Sequence, residues 1–296
     1  MQNEQPQQSD RLMQNKQTKI VLNNRELERV SNFIGAEIGI QLPSSKHTLV
    51  EGRLRKRLRT LGFADFKSYL DHALDGAESE SERLHLIDAI TTNKTDFFRE
   101  PEHFDYLIQH ALPEMEKNRE IDGRRELNLW SAGCSSGEEP YTLSIVMHEA
   151  AEKISGMRFS ILGTDISQSC LQTAARGIYT ENRVESVPLK LRQKYFLRSR
   201  DPADELVQMG DELRSRVNFA SLNLMSRVYN INHKMDVIFC RNVMIYFNNE
   251  IRKELIDRFE NSLLPGGYLF VGHSESLNGI NSRFKLVAPM VYQKQK

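Results

Sequence analysis

The stretch LNLWSAGCSSGEEPY, residues 127–141, joins an apolar run to a turn of small residues and then to the start of a helix. Leu127, Leu129 and Trp130 predict a buried strand of a parallel sheet, because both faces of such a strand are covered. The small residues after them let the backbone approach a ligand closely. The apolar residues that follow recur at helical spacing, at Leu143, Val146, Met147 and Ala150. The stretch therefore predicts a strand, a ligand-binding turn and a helix.

Two consecutive acids at the start of this helix indicate which ligand the turn binds. A pyrophosphate at a helix N-terminus requires free backbone N–H groups, and Glu138 and Glu139 would repel it. The acids suit a cofactor that carries an amine, a sulfonium and ribose hydroxyls but no phosphate. This points to S-adenosylmethionine (SAM) rather than NAD. A second interpretation stays open here, because the helix dipole favours acids in the first turn of many helices.

The composition is that of an ordinary globular protein. Of 296 residues, 39% are hydrophobic and 27% are charged, and this length suits one large or two modest domains. The formal net charge is zero, so no overall field favours nucleic acid or a membrane surface. No apolar run is long enough to span a bilayer, and the Gln-rich N-terminus lacks the apolar core of an export signal. We therefore expect a cytoplasmic protein that does not insert into the membrane.

The three cysteines carry no metal-binding or disulfide pattern. Cys134, Cys170 and Cys240 form neither an even set nor a CxxC pair. We expect reduced thiols and no bound metal.

Three segments of the chain differ in pattern. Residues 1–18 are rich in Gln and predict a disordered tail. Residues 19–92 predict a helical domain, with helices at residues 26–38, 49–61, 65–74 and 80–90. Residues 93–296 alternate strands and helices and predict an α/β domain with a doubly wound, mostly parallel sheet, in which a final run over residues 284–292 pairs antiparallel.

The alternation of strands and helices is interrupted over residues 187–220. Three strand candidates, at residues 195–197, 206–209 and 217–219, follow one another with no helix between them. They predict a small antiparallel β insert. Such an insert either contacts a partner or only caps the sheet.

The segment from Lys46 to Arg59 predicts an amphipathic helix with a cationic outer surface. Its apolar residues recur at helical spacing, while its cations take the remaining directions. Those cations are Arg53, Arg55, Lys56, Arg57 and Arg59. Within the segment only Glu51 opposes them, and we therefore favour a docking surface for an acidic partner. A solvated helix face is the alternative, since Arg stems also cover apolar neighbours.

Polar residues follow two further strand candidates. Asp165 ends one strand, and Arg241, Asn242 and Tyr246 leave the next one. Because ligands of open parallel sheets bind at the carboxyl ends of the strands, these residues are expected at the same mouth as the turn. Asp165 can bind a ribose diol, whereas Asn242 and Tyr246 can line the reaction site. Their alternatives are an ordinary turn former or N-cap for Asp165 and a core aromatic for Tyr246.

The junction between the two domains, TTNKTDFFRE at residues 91–100, is also rich in polar and aromatic side chains. Domain junctions favour ligand sites. Arg99 can hold a carboxylate of the cofactor or of the substrate by a bidentate pair. Alternatively, it pairs with Glu100 or Glu102 on the surface.

Five motifs taken together resemble the CheR-type chemotaxis receptor glutamate methyltransferases. They are TTNKTDFFRE, LWSAGCSSGEEPY, GTDIS, CRNVMIYF and GYLFVGHSE, and the resemblance covers nearly the whole chain beyond the tail. It implies an N-terminal helical domain, a class I SAM-dependent methyltransferase domain and an inserted antiparallel subdomain. It also implies SAM as donor, S-adenosylhomocysteine as product, and a glutamate side chain of a chemotaxis receptor as acceptor.

The resemblance also assigns site residues by motif. Donor contacts are implied for Asn93, Thr95, Arg99, Glu139, Asp165, Asn223, Leu224, Arg241 and Asn242. Arg99 and Tyr246 are implied closest to the transferred methyl, so we expect them to be the catalytic pair. In some family members the insert binds a C-terminal receptor peptide, which makes that peptide an expected partner. The corresponding loop here, SRDPADE at residues 199–205, is charged and lacks glycine.

Two other classes of function remain as alternatives. One is a methyltransferase of nucleic acid or of a small molecule, which would use the basic helix for phosphate and would bind less tightly in salt. The other is a binding module that senses SAM without transferring its methyl group. The polar residues at all the converging loops favour the receptor methyltransferase.

Overall fold

The computed structural model describes residues 20–76, 79–122, 126–280 and 282–295. The tail predicted over residues 1–18 lies outside them. Among the described residues, none of the helices combines the length and the apolarity that crossing a bilayer requires.

The N-terminal domain is helical, as predicted. Its helices are α1 (Asn24–Ile38), α2 (His47–Leu61), α3 (Phe66–Leu70) and α4 (Glu80–Ile90). A capping box begins α1, because Asn23 accepts from the N–H of Glu26 while the Glu26 carboxylate accepts from the N–H of Asn23. The helices enclose a core of their own, to which α2 contributes Val50, Leu54 and Leu58. The predicted third helix continues as a wider π-helical turn over Asp71–Asp75.

A second helical segment leads from the junction to the sheet. It comprises α5 (Glu102–Tyr106), a π-helical turn (Leu107–Ala111) and α6 (Leu112–Asp122). The side chains of Phe104, Leu107, Ala111 and Leu112 are buried in the core that covers one face of the sheet.

The main sheet has seven strands, and its order identifies a doubly wound fold. Its strands are β1 (Leu127–Ala132), β2 (Phe159–Asp165), β6 (Val217–Ser221), β7 (Met235–Cys240), β8 (Leu263–Val271), β9 (Phe284–Ala288) and β10 (Val291–Lys294). They lie in the order β6-β2-β1-β7-β8-β10-β9, and the first five run parallel. β10 pairs antiparallel with both β8 and β9. The predicted α/β class and the antiparallel C-terminal pairing are confirmed.

Helices cover both faces of this sheet. They are α7 (Glu138–Ala151), α8 (Gln168–Arg176) and α11 (Asn249–Ser262). Ser167 caps the start of α8 through the N–H of Cys170, and Gly177 ends it in the left-handed conformation at φ 61°. One face of β1 and β7 packs against a core that includes Trp130 and Phe259.

A separate three-stranded antiparallel sheet forms the insert. Its strands are β3 (Ile178–Thr180), β5 (Leu206–Met209) and β4 (Phe196–Arg198), in that order across the sheet. A short helix, α9 (Leu189–Tyr195), leads into β4. The insert sheet therefore spans residues 178–209 rather than the expected 187–220.

The assignment of residues 217–219 to the insert is wrong. These residues belong to β6, which pairs parallel with β2 from Ile161↔Val217 to Asp165↔Ser221. The connection to β6 contains α10 (Asp211–Arg214), a single turn that is too short to show helical periodicity in the sequence. The three-residue strand β3 was missed for a similar reason, since it follows directly on the cap of α8.

Candidate functional site

A cleft lies between the helical domain and the carboxyl ends of β1, β2 and β7. Its space is about 960 Å³ including the open solvent at its mouth. All the residues assigned from the sequence to the cofactor or to catalysis line it. They are Asn93, Thr95, Arg99, Glu139, Asp165, Asn223, Leu224, Arg241, Asn242 and Tyr246.

The turn after β1 is held against the end of β2. The N–H groups of Gly133 and Cys134 donate to the carbonyl of Thr164, at 2.8 and 2.9 Å. Gly133 has φ 78°, and a Cβ atom on it would lie 2.5 Å from Cγ2 of Val243. Only glycine permits this approach of the turn to the loop after β7.

Asp165 binds the same turn through its carboxylate. Its Oδ2 accepts from the N–H of Ser135 (2.7 Å) and its Oδ1 accepts from the N–H of Ser167 (2.9 Å). Burial raises the pKa of the Asp165 carboxyl, and the N–H groups of Ser167 and Ser135 partly offset that rise. Each carboxylate oxygen has further acceptor capacity, so Asp165 can also bind hydroxyls in the cleft.

The two acids at the start of α7 face different neighbours. Glu139 lines the cleft, and its Oε1 accepts from the hydroxyl of Ser131 at 2.7 Å. Glu138 is fully buried on the other side, where its carboxylate pairs with Arg183 and accepts from the Ser136 hydroxyl at 2.7 Å. Only Glu139 is therefore placed to meet a ligand in the cleft.

Arg241 is the buried cation of the cleft. Its side chain is 2% exposed, and its Nε lies 3.3 Å from Oε2 of Glu100 and 3.5 Å from Oε2 of Glu139. Its Nη2 donates to the carbonyl of Arg99, and its guanidinium lies over the ring of Phe104. Burial raises the pKa of the Glu139 carboxyl, and the charge of Arg241 partly offsets that rise. The pairing of Arg99 with Glu100 that the sequence left open is taken instead by Arg241.

Glu100 and His103 form a buried polar group that the sequence did not reveal. Nδ1 of His103 lies 3.5 Å from Oε2 of Glu100, and His103 is 1% exposed. Burial, followed by the charge of Arg241, lowers the pKa of His103 to about 4. His103 is therefore neutral at physiological pH. No local sequence pattern predicted this polar group, because its burial depends on tertiary packing.

The same group has the ligand spacing of a metal site. Ligand atoms of Glu100, His103 and His273 all lie within 4.8 Å of one another. Glu102 pairs with Nε2 of His273, and Arg241 lies 3.3 Å from the Glu100 oxygen that a metal would need. A divalent cation there would meet the charge of that guanidinium. The arrangement favours a polar network, and the absence of a metal stays a prediction.

The loop after β7 presents Asn242 and Tyr246 to the cleft. Asn242 has φ 60°, and its N–H donates to Oε2 of Glu275 at 2.7 Å. A 3-10 turn over Met244–Tyr246 follows, and the carbonyl of Tyr246 accepts from the N–H of Gln41 at 3.0 Å. The sequence analysis assigned no role to Glu275, although this residue ends the motif GYLFVGHSE.

The helical domain closes the side of the cleft opposite the sheet. Nδ2 of Asn223 donates to the carbonyl of Glu37 at 2.7 Å, so the loop after β6 is bound to the end of α1. The hydroxyl of Ser135 donates to the carbonyl of Asn93 at 2.9 Å, which binds the junction to the turn. Both domains therefore contribute to a single site.

Some cations of the basic helix α2 bind groups within the helical domain. Nη1 of Arg53 donates to the carbonyls of Ile90 and Thr91, at 2.5 and 3.0 Å. Arg55 pairs with Glu51.

Arg57 of the same helix binds a carboxylate that the sequence-based count of opposing charges missed. Its Nε and Nη2 donate to the two oxygens of Glu82, at 2.9 and 2.6 Å, and Glu82 lies 25 positions further along the chain. Of the five cations assigned to docking, Lys56 and Arg59 are exposed.

Comparison with known proteins matches both parts of the chain. A family model described as CheR methyltransferase, SAM binding domain, matches residues 93–292. A second, described as CheR methyltransferase, all-alpha domain, matches residues 25–91.

Three curated relatives match over most of their length. The chain is 38% identical to the chemotaxis protein methyltransferase of Borreliella burgdorferi over 270 residues, which cover 91% of this chain and 94% of that protein. It is 37% identical to the chemotaxis protein methyltransferase of Escherichia coli, with 94% and 93% covered. It is also 37% identical to chemotaxis protein methyltransferase 2 of Pseudomonas aeruginosa, with 86% and 87% covered.

Proposed function

Because the chain belongs to the CheR methyltransferase family and binds SAM as its cofactor, we propose that it methylates glutamate side chains of chemotaxis receptors. The product on the receptor is a glutamate methyl ester, and the donor leaves as S-adenosylhomocysteine. One observation carries this proposal: every residue that the family motifs assign to donor or acceptor lines one cleft. The names of the relatives support chemotaxis as the process.

The residues of the cleft fit the chemical groups of SAM. Asp165 is placed at the end of β2, where it can accept from the ribose hydroxyls. Asn223 and Leu224 supply an amide and an apolar surface for the adenine. Glu139 faces the cleft as a carboxylate suited to the amine of the donor, and Arg241 lies beside it for the donor carboxylate. Asn93, Thr95 and Asn242 complete the proposed donor contacts.

The methyl transfer itself needs little from the protein beyond positioning. A carboxylate oxygen of the receptor glutamate attacks the methyl carbon, a C–O bond forms, and the electrons of the C–S bond return to sulfur. The sulfonium becomes a neutral thioether, and no proton has to move. The main contributions of the protein to catalysis are therefore the alignment of the two reactants and the exclusion of water. We assign Arg99 and Tyr246 to orienting the acceptor carboxylate.

The receptor is proposed to meet the enzyme in the cytoplasm through two surfaces. One is the exposed face of α2, where Lys56 and Arg59 are available to an acidic receptor segment, whereas Arg53, Arg55 and Arg57 mainly hold the helix in its domain. The other is the β insert, which is proposed to bind a C-terminal receptor peptide. The boundary between the helical domain and the methyltransferase domain is placed between residues 92 and 93.

The test is incubation of the protein with SAM labelled in its methyl group and with the cytoplasmic domain of a chemotaxis receptor. We expect label on the receptor that base releases as methanol, and a receptor with its methylated Glu residues replaced by Ala serves as control. Label that resists base, or no label on any receptor, would contradict glutamate esterification.

A further inference from the structure

A carboxylate outside the cleft collects three backbone N–H groups. Oε2 of Glu275 accepts from Asn242 at 2.7 Å and from Gly272 at 2.8 Å, and Oε1 accepts from Ile245 at 3.2 Å. Glu275 is 1% exposed and is absent from the lining of the cleft. Its carboxylate therefore acts on a ligand in the cleft only through the residues that it holds.

We propose that Glu275 is a positioning residue for methyl transfer, which holds the loop after β7 so that Asn242 and Tyr246 face the reacting groups. This inference rests on the proposed function, because its readout is transfer of the methyl group to a receptor.

The backbone conformation of the loop after β7 explains why the loop needs the hydrogen bonds to Glu275. Asn242 has φ 60°, in the left-handed region, and a non-glycine residue keeps this strained conformation only where its surroundings hold it. The hydrogen bond from its own N–H to Glu275 provides that fixation. Gly272 allows the close packing, since a Cβ atom there would lie 2.6 Å from Nδ2 of Asn242.

The carboxylate of Glu275 accepts hydrogen bonds from both ends of the segment that lines the cleft. Glu275 holds Asn242 at one end and Ile245 at the other, and Ile245 directly precedes Tyr246. From the opposite side, Gln41 of the helical domain donates to the carbonyl of Tyr246 at 3.0 Å. The loop is thus held between the buried carboxylate of Glu275 and the N-terminal helical domain.

A carboxylate is the side chain that suits this position. It offers two acceptor oxygens and no donor, which matches N–H groups arriving in different directions. In Glu275→Gln the shape is kept, but one oxygen becomes an NH2 group that faces backbone N–H donors. The substitution therefore removes acceptance on one side of the loop without opening a cavity.

The experiment compares Glu275→Gln with Glu260→Gln in the full-length protein. Glu260 is a matched control, because its carboxylate also accepts from a backbone N–H, that of Arg283 at 3.0 Å, but lies outside the cleft lining. kcat and KM for the receptor domain are measured by base-labile label, and active sites are counted by calorimetric titration with SAM.

We expect Glu275→Gln to lower kcat per SAM-binding site about tenfold or more, because the reacting groups lose alignment. We expect KM for the receptor to stay within about threefold, since the docking surfaces are untouched. Glu260→Gln is expected to keep the kcat of the unaltered protein. A purely structural role for Glu275 would lower the number of active sites and leave kcat per site unchanged.

Gly272→Ala provides a second route to the same loop if Glu275→Gln does not fold. It keeps the carboxylate but places a methyl group against Asn242, and the same loss of kcat is expected. Wild-type kcat per site in whichever of these variants folds would overturn the inference. Absence of base-labile label with the unaltered protein would instead contradict the proposed function, so the two failures are distinguishable.

Discussion

The two sides of the turn between β1 and α7 place neighbouring acids in unlike surroundings. Glu139 faces the cleft and shares the Arg241 guanidinium with Glu100, whereas Glu138 faces the insert and pairs with Arg183. Consecutive residues of a helix point about 100° apart, so adjacent positions can serve different surfaces. The two adjacent glutamates thus have different roles, since Glu139 faces the ligand cleft and Glu138 binds the insert.

The cations on the two sides differ in their access to water. The side chain of Arg241 is 2% exposed, whereas that of Arg183 is 41% exposed. Water can solvate Arg183 and screen its charge, but it reaches Arg241 hardly at all. Loss of the cation on the cleft side is therefore expected to lower the free energy of unfolding more than loss of the cation on the insert side.

The largest expected effect is on the free energy of unfolding when each cation is replaced by Met. Arg241→Met leaves the carboxylates of Glu100 and Glu139 buried without their partner, and we expect a loss of about 3–5 kcal/mol. Arg183→Met, the matched variant, should lose about 1–2 kcal/mol, because Arg183 is 41% exposed and pairs with one carboxylate, whereas Arg241 is 2% exposed and pairs with two. Urea unfolding of both variants measures the difference. Equal losses would mean that the two sides are not distinguished by burial.

A smaller effect is expected from pH on the cleft side. The pKa of His103 is about 4 in the folded protein, below the value of about 6.5 for an unfolded chain. The unfolded state therefore binds more protons between these values, and stability falls as pH falls through this window. From pH 7 to pH 5 we expect the protein to lose about 2 kcal/mol more than His103→Phe, which cannot be protonated. Parallel pH curves for the two proteins would contradict a buried neutral His103.

The fold was predictable where a local pattern was long enough to carry it. The strands that end before the turn, at Asp165 and at Cys240 were apolar runs, the turn was a run of small residues, and the helices of the N-terminal domain had helical spacing. β6 was assigned to the wrong sheet because α10 is one turn long and leaves no periodic trace. Strand pairing is decided by tertiary contacts that no window of sequence contains.

The site divides in the same way. Asp165, Arg241 and Asn242 were found because polar residues at the ends of buried strands meet at one mouth of a parallel sheet. The sequence analysis missed the interactions of Glu100, His103 and Glu275 inside the protein, because their partners Arg241 and Asn242 are remote in sequence. The pairing of Arg57 with Glu82 was also hidden, and it changed which cations of α2 are open to a partner.

The contrast between the two acids is tested most directly by calorimetric titration of SAM into Glu139→Gln and Glu138→Gln. A hydrogen bond to a charged group is worth about 1.5–3 kcal/mol, so Glu139→Gln should raise the Kd of SAM about tenfold or more. Glu138→Gln should leave that Kd within about threefold, because its carboxylate binds the insert and not the cleft. An equal rise in both variants, or a rise only in Glu138→Gln, would contradict the division of the turn into a ligand side and an insert side.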